Sequence, residues 1–436
     1  MLNLCVLTVK TSGNSKSMKP PGDIEPFGKK CNLGWLTKIS HLFRVSGILD
    51  IKELTVKEIP LGDPRLRDFV RFHWQLYKGD PCWIPQLNGD LLGNRLIGLK
   101  GLLTPKHPYH RHADVTHFMA WLRNKPVGRI SVAINRQYNE YYQTSIGFFG
   151  FFEVVNEYEV ARALLDYART WVEERGMTVM RGPGGYSTAT HERQGILIDG
   201  FQYPPTSELT HNPPYYSQFL ERYGFQKAKD YLAYIIERNS IDISLLKRLA
   251  RKVNKNLNIQ TRALILKELK AEIRLILQIY NEAWSQNWGF LPISPEEGDA
   301  IADALRFIID PGLARFAFID GKPAAVMGVI PDPNYALRPR WHWYGDSDFI
   351  RLARLLLTRR RIPRTRGMFF GIKPEFRKLG IPALLASEVA DYLLPRHYLE
   401  CDASLILEDN EAIIKIIEVL GGKYYKRWRI YDLPLR

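Results

Sequence analysis

GMFFGIKPEFRKLGIPALL, residues Gly367 to Leu385, is the stretch on which the reading of this chain turns. An apolar, strand-like run from Met368 to Ile372 ends in a basic turn. That turn carries one glycine, Gly380, and passes into an apolar, helix-like run. A backbone of this kind makes an anion cradle. Glycine permits close approach, the N–H groups at a helix start point outward, and the helix dipole favours negative charge. Arg377, Lys378 and Gly380 lie where a pyrophosphate would sit. The same letters also describe an ordinary strand, turn and helix with a basic surface turn, since short glycine motifs are common.

The stretch resembles the phosphate loop of the GNAT acyltransferases, in which a strand is followed by R/Q-x-x-G-x-G/A. Arg377-Lys378-Leu379-Gly380-Ile381-Pro382 fits the first four positions. Pro382 replaces the last small residue and has no N–H to donate, although proline suits a first helical turn. Downstream, Tyr398 to Leu435 reads strand, turn with Asn410, helix, Gly421-Gly422 and strand. This is similar to the family's ending, with Ile417 where a tyrosine acid is frequent. Upstream, Arg315 to Asp332 reads as a hairpin around the turn pair Asp320-Gly321. The resemblance covers residues 264–436. It implies acyl-CoA held by Phe370, Ile372, Arg377, Lys378, Leu379, Gly380, Ile381 and Asn410, with N–H groups at the end of Met368–Ile372 polarising the thioester carbonyl.

The first half repeats the pattern. Lys125-Pro126 matches Lys322-Pro323, and Gly224 matches Gly421; 322 minus 125 and 421 minus 224 both give 197. A common offset at both ends points to two copies of one fold. Between them, Ala161, Leu164, Leu165, Ala168, Trp171 and Val172 recur on one helical face. The turn before that helix, Asn156-Glu157-Tyr158-Glu159, has no glycine and two carboxylates, which repel a pyrophosphate. The first copy therefore reads as scaffold or acceptor site. Each copy carries a long insert, Gly182 to Tyr216 in the first and Asn334 to Arg366 in the second. Long loops of aromatic content argue for function over disorder.

The expected fold is α/β (α+β): two tandem GNAT-like domains, each a mixed, mostly antiparallel sheet flanked by helices. Residues 1–50 form a poorly ordered N-terminal extension, 51–240 a degenerate GNAT-like domain, and 241–436 the acyl-CoA-binding domain. No apolar run reaches the length of a membrane span. The four cysteines, at 5, 31, 82 and 401, lie far apart without a C-x-x-C pair, which fits a reducing, cytoplasmic compartment rather than a disulfide framework. A net charge of +15 favours anionic partners. Part of it is local: Arg351 to Arg366 holds seven arginines and no carboxylate. FIRLARLLLTRRRIP alternates apolar and basic groups at near-helical spacing, a pattern that suits a membrane surface, a tRNA backbone or a solvated basic helix.

HPYHRHADVTH, from His107 to His117, would place His110, His112 and Asp114 on one side if extended, as zinc ligands stand. Val115 follows and no second ligand set does, so a loop is the better reading and no metal is expected. His191-Glu192 and His211-Asn212 read as polar groups of a surface loop. Glu400 and Asp402 alternate on the strand after the cradle helix and are candidate bases; Tyr424 and Tyr425 are candidate acids. The function expected is acyl transfer from acetyl-CoA or another acyl-CoA to an amine. Alternatives are a Fem-like transferase using tRNA or an acidic carrier protein, and a ligand-binding protein without turnover.

Overall fold

The computed structural model describes residues 30–31, 53–184, 192–253, 258–339 and 347–435. The extension, except for Lys30 and Cys31, lies outside the described residues, as does His191.

The first half runs β1 (Leu54–Pro60), helix Leu66–Leu76, β2 (Ala113–Leu122), β3 (Lys125–Asn135), β4 (Ile146–Val154), helix Tyr158–Glu173, β5 (Val179–Gly182), β6 (Ile196–Asp199), helix Tyr215–Tyr223 and β7 (Gln226–Glu237). The second half repeats it: β8 (Ile259–Ala263), helix Leu269–Ala283, β9 (Ala314–Ile319), β10 (Lys322–Pro331), β11 (Arg364–Ile372), helix Ile381–Leu393, β12 (Glu400–Leu407), helix Glu411–Val419 and β13 (Lys423–Pro434). The hairpin joining β9 and β10 turns at Asp320 and Gly321, with φ of 49° and 76°. Both central residues are left-handed, as a tight hairpin that matches strand twist requires.

All thirteen strands form one sheet in the order β1-β2-β3-β4-β5-β13-β7-β12-β11-β10-β9-β8, with β6 also pairing to β13. Two pairings are parallel, β4 with β5 and β11 with β12. The last strands are exchanged. β13, which ends the second half, pairs with β5 of the first, and β7, which ends the first half, pairs with β12 of the second. β7 and β13 also pair with each other from Gln226↔Asp432 to Ile235↔Lys423. A division between residues 240 and 241 thus parts the chain but not the sheet.

Helices cover both faces, and alternation along the strands shows why. A Cβ at Gly128 on β3 would meet Leu164 of helix Tyr158–Glu173. The next residue, Arg129, lies over Phe69 of helix Leu66–Leu76. Successive side chains of a strand point to opposite faces, so these helices lie on opposite sides. The face expected from the sequence is buried, from Ala161 through Val172. In the second half, Val326 packs with Ile273 and Ile276, whereas its neighbour Ala325 packs with Ile381 and Leu385.

Trp428 of β13 is fully buried, and its indole N–H donates to the Thr210 carbonyl at 2.9 Å. Trp428→Ala should cost about 3–5 kcal/mol, as buried aromatic truncations do, measured by urea unfolding. Deleting residues 423–436 should abolish amide protection in β4 and β5 as well as in β7 and β12. Retention of protected amides in β5 would contradict the exchanged pairing.

Candidate functional site

A fork opens in the second half where its parallel strands part. β11 and β12 pair only from Arg364↔Glu400 to Gly367↔Ala403. Beyond that point β11 stays with β10 as far as Ile372, while β12 shifts register between Ala403 and Ile406 and follows β7. Among the described strands, Met368 to Ile372 therefore pairs on one edge only, with β10. The Trp284 indole N–H reaches the Phe370 carbonyl at 3.0 Å and holds the strand end.

The turn after β11 has the backbone of an anion nest. Lys378 and Gly380 are left-handed, with φ of 69° and 78°, on either side of Leu379. The N–H groups of Lys378, Leu379, Gly380 and Ile381 make no backbone hydrogen bond among the described residues. They lie at the start of helix Ile381–Leu393, where the dipole adds positive potential. Gly380 is required twice over: its φ is positive, and a Cβ there would stand 3.2 Å from Val253 Cγ2. The side chains contribute less than the sequence suggests. Arg377 donates to the Ala283 carbonyl at 2.8 Å, at the negative end of helix Leu269–Ala283. Lys378 is exposed, Ile381 is buried, and Ile372 and Leu379 pack against an apolar cluster. The Asn410 side chain caps helix Glu411–Val419 by accepting from Ile413 N at 3.3 Å.

Asp402 and Tyr425 come together, and Glu400 and Tyr424 do not join them directly. Tyr425 OH donates to Asp402 Oδ2, which also accepts from Thr206 Oγ1 at 2.5 Å and lies 3.6 Å from Arg364 Nη2. Asp402, Thr206 and Lys426 are fully buried, so this cluster is sealed. Glu400 pairs with the Arg364 Nε at 3.5 Å, and exposed Tyr424 donates to Asp199 at 2.6 Å. Burial pushes Asp332 up to about 6, opposed by Arg364. Burial and the Arg364 guanidinium push Lys426 down to about 7, opposed by Asp402.

The matching fork of the first half is filled differently. β4 and β5 pair from Ile146↔Val179 to Phe148↔Arg181 and then separate. A Cβ at Gly150 of β4 would fall 1.7 Å from Glu192 Oε1, so the insert enters this fork. Behind it lies a polar cavity lined by His73, Arg129, Glu153, Arg193, His211 and Tyr216. Glu153 accepts from Tyr77 OH at 2.7 Å and Tyr216 OH at 2.9 Å, and Arg129 Nη2 stands 3.8 Å away. Burial raises the Glu153 carboxyl, and Arg129 and both tyrosines oppose the rise. Burial, reinforced by Arg129, holds His73 well below its usual range. His73 Nε2 has no hydrogen-bond partner among the described residues. Asp80, fixed by the N–H groups of Cys82 and Trp83, holds His211 Nε2 at 2.7 Å. An apolar cavity shares Pro85, Gln86 and Arg193 with the polar one and continues between the halves along Leu87, Leu99, Leu305, Ile308, Leu337 and Leu355.

Several expectations from the sequence are corrected. Glu192, His211 and Asn212 are buried, not part of a surface loop; Asn212 is spent on the Leu197 backbone. The stretch from His107, by contrast, is the expected loop entering the first hairpin, with Pro108–Arg111 in a 3-10 turn before β2. His110 meets the Leu102 carbonyl, His112 lies 3.9 Å from Glu297, and Asp114 pairs with Arg136. Cys31 and Cys82 form a disulfide, their Cα atoms 6.0 Å apart, because the fold closes a separation that the sequence leaves wide. Cys401 is free, and burial pushes its thiol up to about 11. Among the described residues no helix is long and apolar enough to cross a membrane.

The paired forks and the single retained nest define a tandem GNAT fold. A tandem GNAT protein from the clavulanic acid biosynthesis pathway superposes with a TM-score of 0.51 at 14% identity, over 88% of this chain and 98% of that one. No protein-family model matches the sequence. The bacterial ceramide synthase of Caulobacter vibrioides is 30% identical over 390 residues, covering 86% of this chain and 97% of its own. Protein YghO of Escherichia coli is 29% identical over 374 residues, covering 84% of this chain and 92% of its own. The chain belongs to the family of the Caulobacter protein and has a tandem GNAT fold.

Lys426 provides a test of the sealed cluster. Its amine is neutral in the fold above about pH 7 but charged in the unfolded chain up to about 10.5. The unfolded state then binds more protons, so this group makes stability rise with pH across that window. The difference in stability between the protein and its Lys426→Met variant should change by about 1.4 kcal/mol per pH unit between pH 7 and 10. Urea unfolding at several pH values measures it, and a difference independent of pH would contradict the burial of an uncharged amine.

Proposed function

We propose that this protein transfers an acyl group from acyl-CoA to the amine of a long-chain amino alcohol. The observation that carries the reading is the nest at Lys378–Ile381, present in only one of two otherwise parallel forks. Backbone N–H groups there receive the pyrophosphate, and the edge of Met368–Ile372 receives the acyl-bearing arm. The acceptor's class rests on two supports. One is the ceramide-forming activity in the name of the Caulobacter relative. The other is a pair of neighbouring cavities that share Pro85, Gln86 and Arg193, one polar by Glu153 and His73 and one apolar by Leu305 and Leu355.

In this reading the amine nitrogen attacks the thioester carbonyl. A C–N bond forms, the C–S bond breaks, and the amine proton leaves as the thiolate takes one up. The chain's part is positioning, which supplies much of the rate in such reactions. Strand-edge N–H groups polarise the carbonyl, the second fork excludes water, and Arg364, Asp402 and Tyr425 hold the two strands where they part. Glu400 and Tyr424, paired with Arg364 and Asp199, remain candidate proton carriers.

Calorimetric titration with acetyl-CoA and a long-chain acyl-CoA tests the donor site. Gly380→Asp places a carboxylate in the nest and should weaken binding at least about tenfold, or 1.4 kcal/mol. Equal affinity of the variant would sink the assignment. Retention on immobilised tRNA but not on immobilised CoA would replace the donor with an aminoacyl-tRNA.

A further inference from the structure

Helix Asp348–Thr358 has two apolar faces, and only one is covered. Its inner face carries Arg351, Leu352 and Leu355. Arg351 is fully buried and donates to the carbonyls of Leu337, Gln86 and Pro85, which pins the helix to both halves of the chain. Leu352 and Leu355 line the apolar cavity. The opposite face shows Phe349, 80% exposed, and Leu357, 83% exposed, with Ile350 and Leu356 beside them. These positions fall at i, i+1, i+7 and i+8, one stripe of a helix. A soluble helix buries such a stripe, so its exposure calls for a partner.

Charge identifies that partner. The helix runs directly into Arg359, Arg360 and Arg361, all exposed. No carboxylate stands between Arg351 and Arg366. The remaining arginines of the stretch are not available: Arg364 and Arg366 are buried, and Arg354 is spent on the Ala336 and Arg338 carbonyls. Leu96, 97% exposed, stands between exposed Arg95 and half-buried Ile97. Ile97 and Leu99 line the same cavity as Leu352 and Leu355, so the segment carrying Leu96 and the helix carrying the exposed stripe both border that cavity. The Asp348 carboxylate, which accepts from Asn88 N and Gly89 N, ties the helix start to that segment.

We propose that this face docks on an anionic lipid bilayer. Phe349, Ile350, Leu356 and Leu357 enter the acyl boundary, and Arg359, Arg360 and Arg361 meet the phosphates. This is how an amphipathic helix lies in a membrane interface. The docking itself does not depend on the reaction. Its consequence for the reaction rests on the acceptor reading: a long-chain amine held in the bilayer then lies beside the helix whose inner face lines the apolar cavity.

Flotation of the full chain with vesicles decides it. Phosphatidylcholine vesicles containing phosphatidylglycerol should carry the protein upward, and pure phosphatidylcholine vesicles should not. Phe349→Asp with Leu357→Asp changes only exposed side chains and should leave thermal unfolding unchanged while abolishing flotation. Arg359→Gln, Arg360→Gln and Arg361→Gln together should lower the partition coefficient on the order of 100-fold, at about tenfold or less per basic residue, and flatten its salt dependence. Flotation equal to that of the parent in both variants would overturn the proposal. So would failure of the parent to float at low salt. A self-associated parent made monomeric by the apolar variant, without vesicle binding, would assign the face to a second copy instead.

Discussion

The pairing of β13 between β5 and β7 is the constraint on which the rest of the molecule depends. Without it the first half lacks the strand beside its fork, and β7 lacks its longest partner. Because the end of each half completes the other's sheet, the halves cannot turn independently. The apolar cavity between them is therefore bounded by one connected structure rather than by two bodies in loose contact. Arg351, bonded to carbonyls of residues 85, 86 and 337, extends the same coupling to the helix layer.

Within that frame the two copies have diverged at one place, the fork of their parallel strands. In the second copy, Lys378 and Gly380 are left-handed at a helix start. In the first, Glu157 precedes the helix and the Arg222 guanidinium stacks 3.6 Å over the Tyr158 ring. Glu192 then enters the fork where an acyl-bearing arm would otherwise lie. One fork remains suited to an anionic donor. The other has become a buried polar chamber whose carboxylate, Glu153, is kept in place by two tyrosines and an arginine.

Much of this was legible in the residues alone. The turn at Asp320-Gly321, the helix face from Ala161 to Val172 and the turn at Gly380 that starts a helix follow from local rules. The constant offset between copies follows from the repeat itself. The strand exchange does not. β7 and β13 alternate alike whichever half they join, because alternation fixes which face a residue takes and says nothing of the neighbouring strand. The polar chamber was hidden for a related reason: Asp80, Arg129, Glu153 and His211 are far apart in sequence, and only the fold brings them together. Only part of the arginine-rich stretch is surface charge, since Arg351, Arg364 and Arg366 are interior groups bonded to carbonyls and carboxylates while Arg359, Arg360 and Arg361 are exposed.

The central claim is that one fork delivers an acyl group to an amine lodged between the halves. The direct measurement is release of free thiol from long-chain acyl-CoA by the purified protein, with and without a long-chain amino alcohol, while mass spectrometry follows the amide. The account predicts thiol release that requires the amine and matches the amide formed mole for mole. Thiol release at the same rate without amine, or none with any chain length of donor and acceptor, would contradict it.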